Sequence, residues 1–244
     1  MAWTGLTTPG MTVHLLTRKR FLDDEVRRAV ADGAEQVVVL AAGFDTLGAR
    51  MLADHPGLAC FDVDHPATQR ARTDLRVAIG DEAPSPHPIA VDLGTDALGP
   101  ALLAHPAWRP DARSVWVAEG LTMYLEQRHV DALLRAFATH AGPGSRFLFT
   151  FIDAEPGPIP VTGRFDAYTR WRLRRMREPL RWSLPRTRLD AFLAERGLRC
   201  VACPEPRELV ERYLMHLPET ERHHQLRERF TILEPAAARA AGPD

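Results

Sequence analysis

Four consecutive apolar β-formers, Val37, Val38, Val39 and Leu40, run directly into a turn of small residues, Ala41-Ala42-Gly43. A strand with no polar side in its alternation must be covered on both faces, the condition of an interior strand in a parallel sheet. Residues 36–40 are therefore expected to form such a strand. Before it, residues 17–31 place Leu22, Val26, Ala29 and Val30 on one side of a 3.6-residue repeat, which predicts an amphipathic helix stopped at Gly33. After it, strand-like segments recur at 58–63, 88–91, 115–118 and 146–151, with helical spacing at 66–77 and 127–138. Alternating β and α of this kind predicts an α/β fold, a doubly wound and mostly parallel Rossmann-like sheet. A closed barrel of eight βα units needs more strands than these.

Beyond residue 151 the character changes. Residues 153–163 form a Pro- and Gly-rich link, and 164–188 carry nine Arg against Asp166 and Glu178, a local charge of +7 that leaves the rest of the chain near −8. Helical spacing at 190–196, a strand at 198–202 and a second helix at 207–214 follow. With 244 residues, this is read as one domain over 1–244 carrying a helical cap at about 155–188.

Composition excludes several classes. A hydrophobic share of 45% with a net charge of −1 is too apolar and too neutral for a disordered chain, and three Cys cannot build a disulfide scaffold. No apolar run approaches the ~18–20 residues of a membrane helix, and residues 1–10 lack the basic start and apolar core of a signal peptide. The expectation is a cytoplasmic protein with no membrane partner. Near-zero net charge argues against a general nucleic-acid binder, and oligomeric state is left open.

In an open parallel sheet the ligand site lies beyond the carboxyl ends of the strands where strand order reverses, usually around the first βα turn. The dinucleotide signature G-x-G-x-x-G fails here, because Ala41, Gly43 and Thr46 occupy its three glycine places. A nucleoside cofactor without a pyrophosphate needs less backbone approach, and S-adenosylmethionine is the obvious one. Asp62 and Asp64 follow Gly43 by 19 and 21 residues, the distance at which an acidic residue meets ribose hydroxyls. The plainer alternative is that small residues merely close a βα unit.

Five ordered segments carry a more specific signal: residues 18–24 (Arg-Lys-Arg-Phe-Leu-Asp-Asp), 39–46 (Val-Leu-Ala-Ala-Gly-Phe-Asp-Thr), 61–66 (Phe-Asp-Val-Asp-His-Pro), 91–93 (Val-Asp-Leu) and 118–125 (Ala-Glu-Gly-Leu-Thr-Met-Tyr-Leu). Weaker matches follow at 178–182 and 191–197. Together they make the chain resemble the leucine carboxyl methyltransferase family of S-adenosylmethionine-dependent enzymes, including a bacterial branch assigned to polyketide O-methylation. The resemblance implies a class I methyltransferase with cofactor contacts from Arg18, Ala41, Gly43, Asp64, Asp92, Leu93 and Glu119. Arg18 is expected to hold the methionine carboxylate, Asp64 the ribose hydroxyls, Asp92 with Leu93 the adenine, and Glu119 the methionine amine or the acceptor entrance. Tyr124, five residues past Glu119, is expected to line the acceptor side as a catalytic residue beside Glu119. The implied acceptor is a small-molecule carboxylate or hydroxyl, with anionic molecules among the candidates. Two departures stand out: the family usually has Gly at position 41 and Glu at position 62.

Other features have plainer readings. Cys200 and Cys203 form a C-x-x-C on a strand, where side chains three apart face opposite ways, and no second pair completes a zinc site. The ten His show no metal-ligand spacing, so no metal is expected. The Arg-rich stretch reads as a solvated cap helix, as a lid drawing an anionic acceptor, or as an RNA contact using Trp171 and Trp182. A non-catalytic nucleoside-binding protein, an RNA-directed methyltransferase and a nicotinamide oxidoreductase are the rival functions.

Overall fold

The computed structural model describes residues 11–156, 175, 179–222 and 227–236. Most of the expected cap, including Trp171, Arg172 and Arg174, lies outside the described residues.

Element order is α1 (Met11–Ala31), β1 (Gln36–Leu40), α2 (Leu47–Asp54), β2 (Ala59–Asp64), α3 (Pro66–Ala78), β3 (His87–Ala90), α4 (Leu98–Leu103), β4 (Ser114–Ala118), α5 (Gln127–His140), β5 (Arg146–Ile152), α6 (Leu189–Ala194), β6 (Leu198–Ala202), α7 (Pro206–Tyr213) and β7 (Glu228–Pro235). The seven strands form one sheet in the order β3-β2-β1-β4-β5-β7-β6. Strands β1 to β5 pair in parallel, and β7 runs antiparallel to both β5 and β6.

All five residues of β1 are buried, as a double-sided strand requires. Alternation sends Val38 and Leu40 into a cluster with Phe61, Trp116, Phe147 and the α5 residues Leu133 and Phe137. Val37 and Val39 turn the other way, onto Phe21, Leu22 and Val26 of α1 and Met51 of α2. Each fully buried Val or Leu contributes about 1.5–3 kcal/mol, so this short run ties both helical layers to the sheet centre.

The sequence pattern does not show β7. Its apolar centre, Phe230 to Leu233, is interrupted by Thr231, yet Thr231 is fully buried because its hydroxyl donates to the Ala202 carbonyl at 3.0 Å. Helix α1 starts six residues before its expected beginning: His14 and Thr17 are buried, and the Thr17 hydroxyl donates back to the Val13 carbonyl at 2.8 Å. The expectation of opposite faces for Cys200 and Cys203 is corrected. Cys203 lies one residue beyond the end of β6, where strand alternation no longer holds, and both Cys pack against the same core cluster, while Ala202, past a register shift from Cys200, joins the other. Burial pushes the Cys203 thiol up to about 11, which keeps it protonated and inert at neutral pH. Trp182 is also a core residue: it is buried against Phe151 and Phe192, and its indole N–H donates to Gln127 Oε1 at 2.7 Å. It presents no open face on which an RNA base could stack.

Candidate active site

Sequential order reverses between β1 and β4, which lie side by side with Val39 level with Val117. The carboxyl ends of these strands deliver Ala41 and Glu119 to one place, the switch point where open α/β sheets bind ligands. A cleft of about 440 Å³ opens there, lined by Arg18 and Lys19 of α1, the β1 turn, Asp45, Arg50 and Glu119.

The turn is held by Ala42 N–H donating to the Val63 carbonyl at 3.2 Å and Asp45 N–H donating to the Ala42 carbonyl at 2.8 Å. Ala41 (φ 50°) and Gly43 (φ 52°) both occupy the left-handed region, which bends the chain sharply. Gly43 N–H then donates down to Asp64 Oδ2 at 2.6 Å, while His65 N–H donates to Oδ1 at 2.6 Å. Asp64 is thus a buried carboxylate clamped by backbone from two strand ends, with lone pairs left for further donors. The Asp64 carbonyl accepts Val91 N–H at 2.9 Å, setting the residues after β3 alongside. Asp92 folds its own loop, accepting Gly94 N–H on Oδ1 at 2.9 Å. Leu93 lines a separate cavity of about 210 Å³ with Gly99, His129 and His140.

Charges of both signs face the cleft. Arg18 Nε donates to Glu119 Oε1 at 2.9 Å, and Lys19 Nζ reaches Glu119 Oε2 at 2.8 Å and Asp45 Oδ2 at 2.7 Å. Burial alone would lower the Lys19 pKa, but the two carboxylates hold it above its ordinary value. Asp45, which burial would raise, is held below the usual carboxylate range chiefly by Lys19. Glu119 continues into Gly120 (φ 58°), whose N–H donates to Thr150 Oγ1 at 2.9 Å. Arg18 lies against this glycine: a Cβ there would sit 3.1 Å from Nη1.

The structure therefore brings Arg18, Ala41 and Glu119 together on the cleft lining, with Gly43 and Asp64 joined by their hydrogen bond beneath the turn and outside that lining, and Asp92 following the Val91 N–H that donates to the Asp64 carbonyl. Leu93 belongs to the other cavity. Tyr124 ends a 3₁₀ turn (Thr122–Tyr124), half-buried beyond the cleft lining, below a segment whose Arg181 and Trp182 N–H groups donate to the Met123 carbonyl at 2.7 and 3.2 Å. Lys19 was not among the expected site residues, although its being the chain's only Lys was a usable signal. Glu228, which receives Arg18 from β7, gave none. The α2 N-terminus, where a pyrophosphate would bind, is already served by Asp45 Oδ1, which accepts Leu47 N–H at 2.9 Å. Among the described residues no three His, Cys, Asp or Glu could hold a metal ion, and no helix is long and apolar enough to cross a membrane.

Known proteins similar to this chain point to its family and fold. Residues 3–138 match the family model described as leucine carboxyl methyltransferase. A Streptomyces avermitilis protein provisionally named an S-adenosyl-L-methionine-dependent methyltransferase is 35% identical over 159 residues, 64% of this chain and 53% of that one. The chain spans about half the length of the curated relatives it matches. Among solved structures, an O-methyltransferase family protein from Burkholderia thailandensis is similar with a TM-score of 0.55 at 17% identity, covering 89% of this chain and 56% of that one. An O-methyltransferase from neocarzinostatin biosynthesis, solved with S-adenosylmethionine and 2-hydroxy-5-methyl naphthoic acid, has a TM-score of 0.50 at 16% identity over 83% of this chain and 49% of that one. At such identities these structures speak for the α/β Rossmann-like fold, whereas the sequence match extends through β1, the turn, Asp64, Asp92 and Glu119: the chain belongs to the leucine carboxyl methyltransferase family of S-adenosylmethionine-dependent methyltransferases.

Proposed function

We propose that this chain binds S-adenosylmethionine in the switch-point cleft and directs its methyl group to an oxygen of a small-molecule acceptor. The observation that carries the reading is the pairing of two kinds of site on one strand junction. A clamped carboxylate, Asp64, lies under a left-handed turn, and a mixed-charge pocket of Arg18, Lys19 and Glu119 stands next to it. The first suits a ribose diol. The second suits a zwitterionic amino-acid end, whose carboxylate the cations would take and whose ammonium Glu119 would take. Asp92, beside Asp64, would border the adenine.

The cofactor supplies an activated methyl on a sulfonium. What the chain contributes is alignment, an effect that can reach roughly 7–11 kcal/mol when the nucleophile is held behind the methyl carbon. Glu119 and Arg18 fix the amino-acid end, Asp64 the sugar, and Tyr124 borders the acceptor side. A carboxylate acceptor is already ionised at neutral pH and needs no base, whereas a hydroxyl must lose its proton. The neocarzinostatin enzyme's aromatic acid ligand supports an acceptor of this size and polarity.

The test is transfer of isotopic methyl from S-adenosylmethionine to a panel of aromatic and aliphatic carboxylic acids and phenols, followed by mild alkali. Alkali-labile product identifies a methyl ester, and stable product an aryl ether. Label found only on nitrogen, carbon or RNA, or cofactor binding without any transfer across the panel, contradicts the proposal.

A further inference from the structure

Resting on the cofactor reading above, we propose that Glu228 is a positioning residue that sets Arg18 for recognition of the amino-acid end of S-adenosylmethionine. Glu228 opens β7 opposite Ile152 at the site end of β5, and its side chain is only 6% exposed. Both its oxygens accept from Arg18 Nη1, at 3.0 and 2.9 Å, and Oε2 lies 2.6 Å from His14 Nε2. Burial would raise this carboxyl, and His14 and Arg18 hold it below the usual range.

One carboxylate on β7 therefore holds α1 at two residues one turn apart, His14 and Arg18. The geometry at Gly120 makes this exacting. The guanidinium lies so near that backbone that a Cβ would approach Nη1 to 3.1 Å, so Arg18 has one narrow shelf to rest on. Without a second anion behind it, Arg18 has only Glu119 as a charge partner, and the two would neutralise each other across the cleft. With Glu228 holding Nη1, Arg18 meets Glu119 through Nε alone. Glu119 then keeps capacity for an ammonium, and the guanidinium edge stays aligned for a carboxylate. Glu228 is not itself part of the cleft lining, so its action is through Arg18.

The experiment compares two ligands that share a nucleoside and sulfur but differ at one end: S-adenosylhomocysteine, which has the amino-acid portion, and 5′-methylthioadenosine, which lacks it. Glu228→Gln keeps shape and loses charge. It should weaken S-adenosylhomocysteine about ten- to hundredfold while leaving methylthioadenosine within about twofold. Glu228→Asp, which keeps the charge but draws it back from Arg18, should shift the same ratio in the same direction by less, and stands in if Glu228→Gln does not fold. An unchanged ratio, whether both ligands weaken or neither does, gives Glu228 a purely structural role and overturns the proposal. Equal affinity of the unmutated protein for the two ligands overturns it as well, while leaving the nucleoside site standing. Failure of the unmutated protein to bind either ligand overturns the cofactor reading itself.

Discussion

Ala41 occupies a left-handed φ of 50° with its methyl exposed on the cleft. The left-handed conformation costs an L-residue with a Cβ about 1–2 kcal/mol, whereas glycine costs about 0.4–1 kcal/mol through the entropy of the unfolded chain, so relief of strain outweighs the loss. Ala41→Gly is therefore expected to raise stability by on the order of 0.5–1 kcal/mol, read by urea denaturation. It should also tighten S-adenosylhomocysteine binding, since the methyl lies on the cleft proposed above to hold the cofactor. A destabilised variant with equal or looser affinity by calorimetry would mean that the turn has adapted to alanine. Residue types alone mark position 41 as a departure from the family's glycine and suggest crowding. The dihedral adds a cost that exists before any ligand arrives, which no reading of residue types could supply.

At the scale of elements, Asp62 on β2 and Arg72 on α3 form a nearly dry ion pair that docks the helix to the sheet. Burial pushes the Asp62 carboxyl up to about 6, and the attraction of Arg72 offsets only part of that. A carboxyl raised on folding holds a proton that the unfolded chain releases between pH about 4 and 6, so its contribution to stability falls as pH rises through that window. Asp62→Asn cannot ionise. The stability of the unmutated protein relative to this variant should decline by up to about 1.4 kcal/mol per pH unit from pH about 4 to 6 and then level off. A difference that grows with pH would show Arg72 to be the dominant influence. Elements with double-sided burial, such as β1, were legible in the sequence because a four-residue apolar run has few other uses. Strand β7 was not, since its burial depends on Thr231 finding the Ala202 carbonyl, and Glu228 was hidden with it because its partners are 210 and 214 positions away. Arg18 and Glu119 were singled out separately by resemblance, but their mutual ion pair comes from the topology that sets α1 across the β4 end.

For the molecule as a whole, the sheet order makes one place chemically distinctive, the junction of β1 and β4, and gathers there a turn, a clamped carboxylate and a mixed-charge pocket. The function proposed above rests on that junction holding a nucleoside cofactor with an amino-acid tail. Calorimetric titration with S-adenosylhomocysteine of the unmutated protein and of Asp64→Ala, with NAD as control, tests it most directly. Each charge-assisted hydrogen bond lost from the Asp64 carboxylate is worth about 1.5–3 kcal/mol, and the side chain sits at a strand end outside the apolar core. The expected result is saturable one-to-one binding to the unmutated protein, loss of at least about a hundredfold in affinity in the variant with its melting curve still cooperative, and no NAD binding by either. Equal S-adenosylhomocysteine affinity in the two proteins, or preference for NAD, would contradict it.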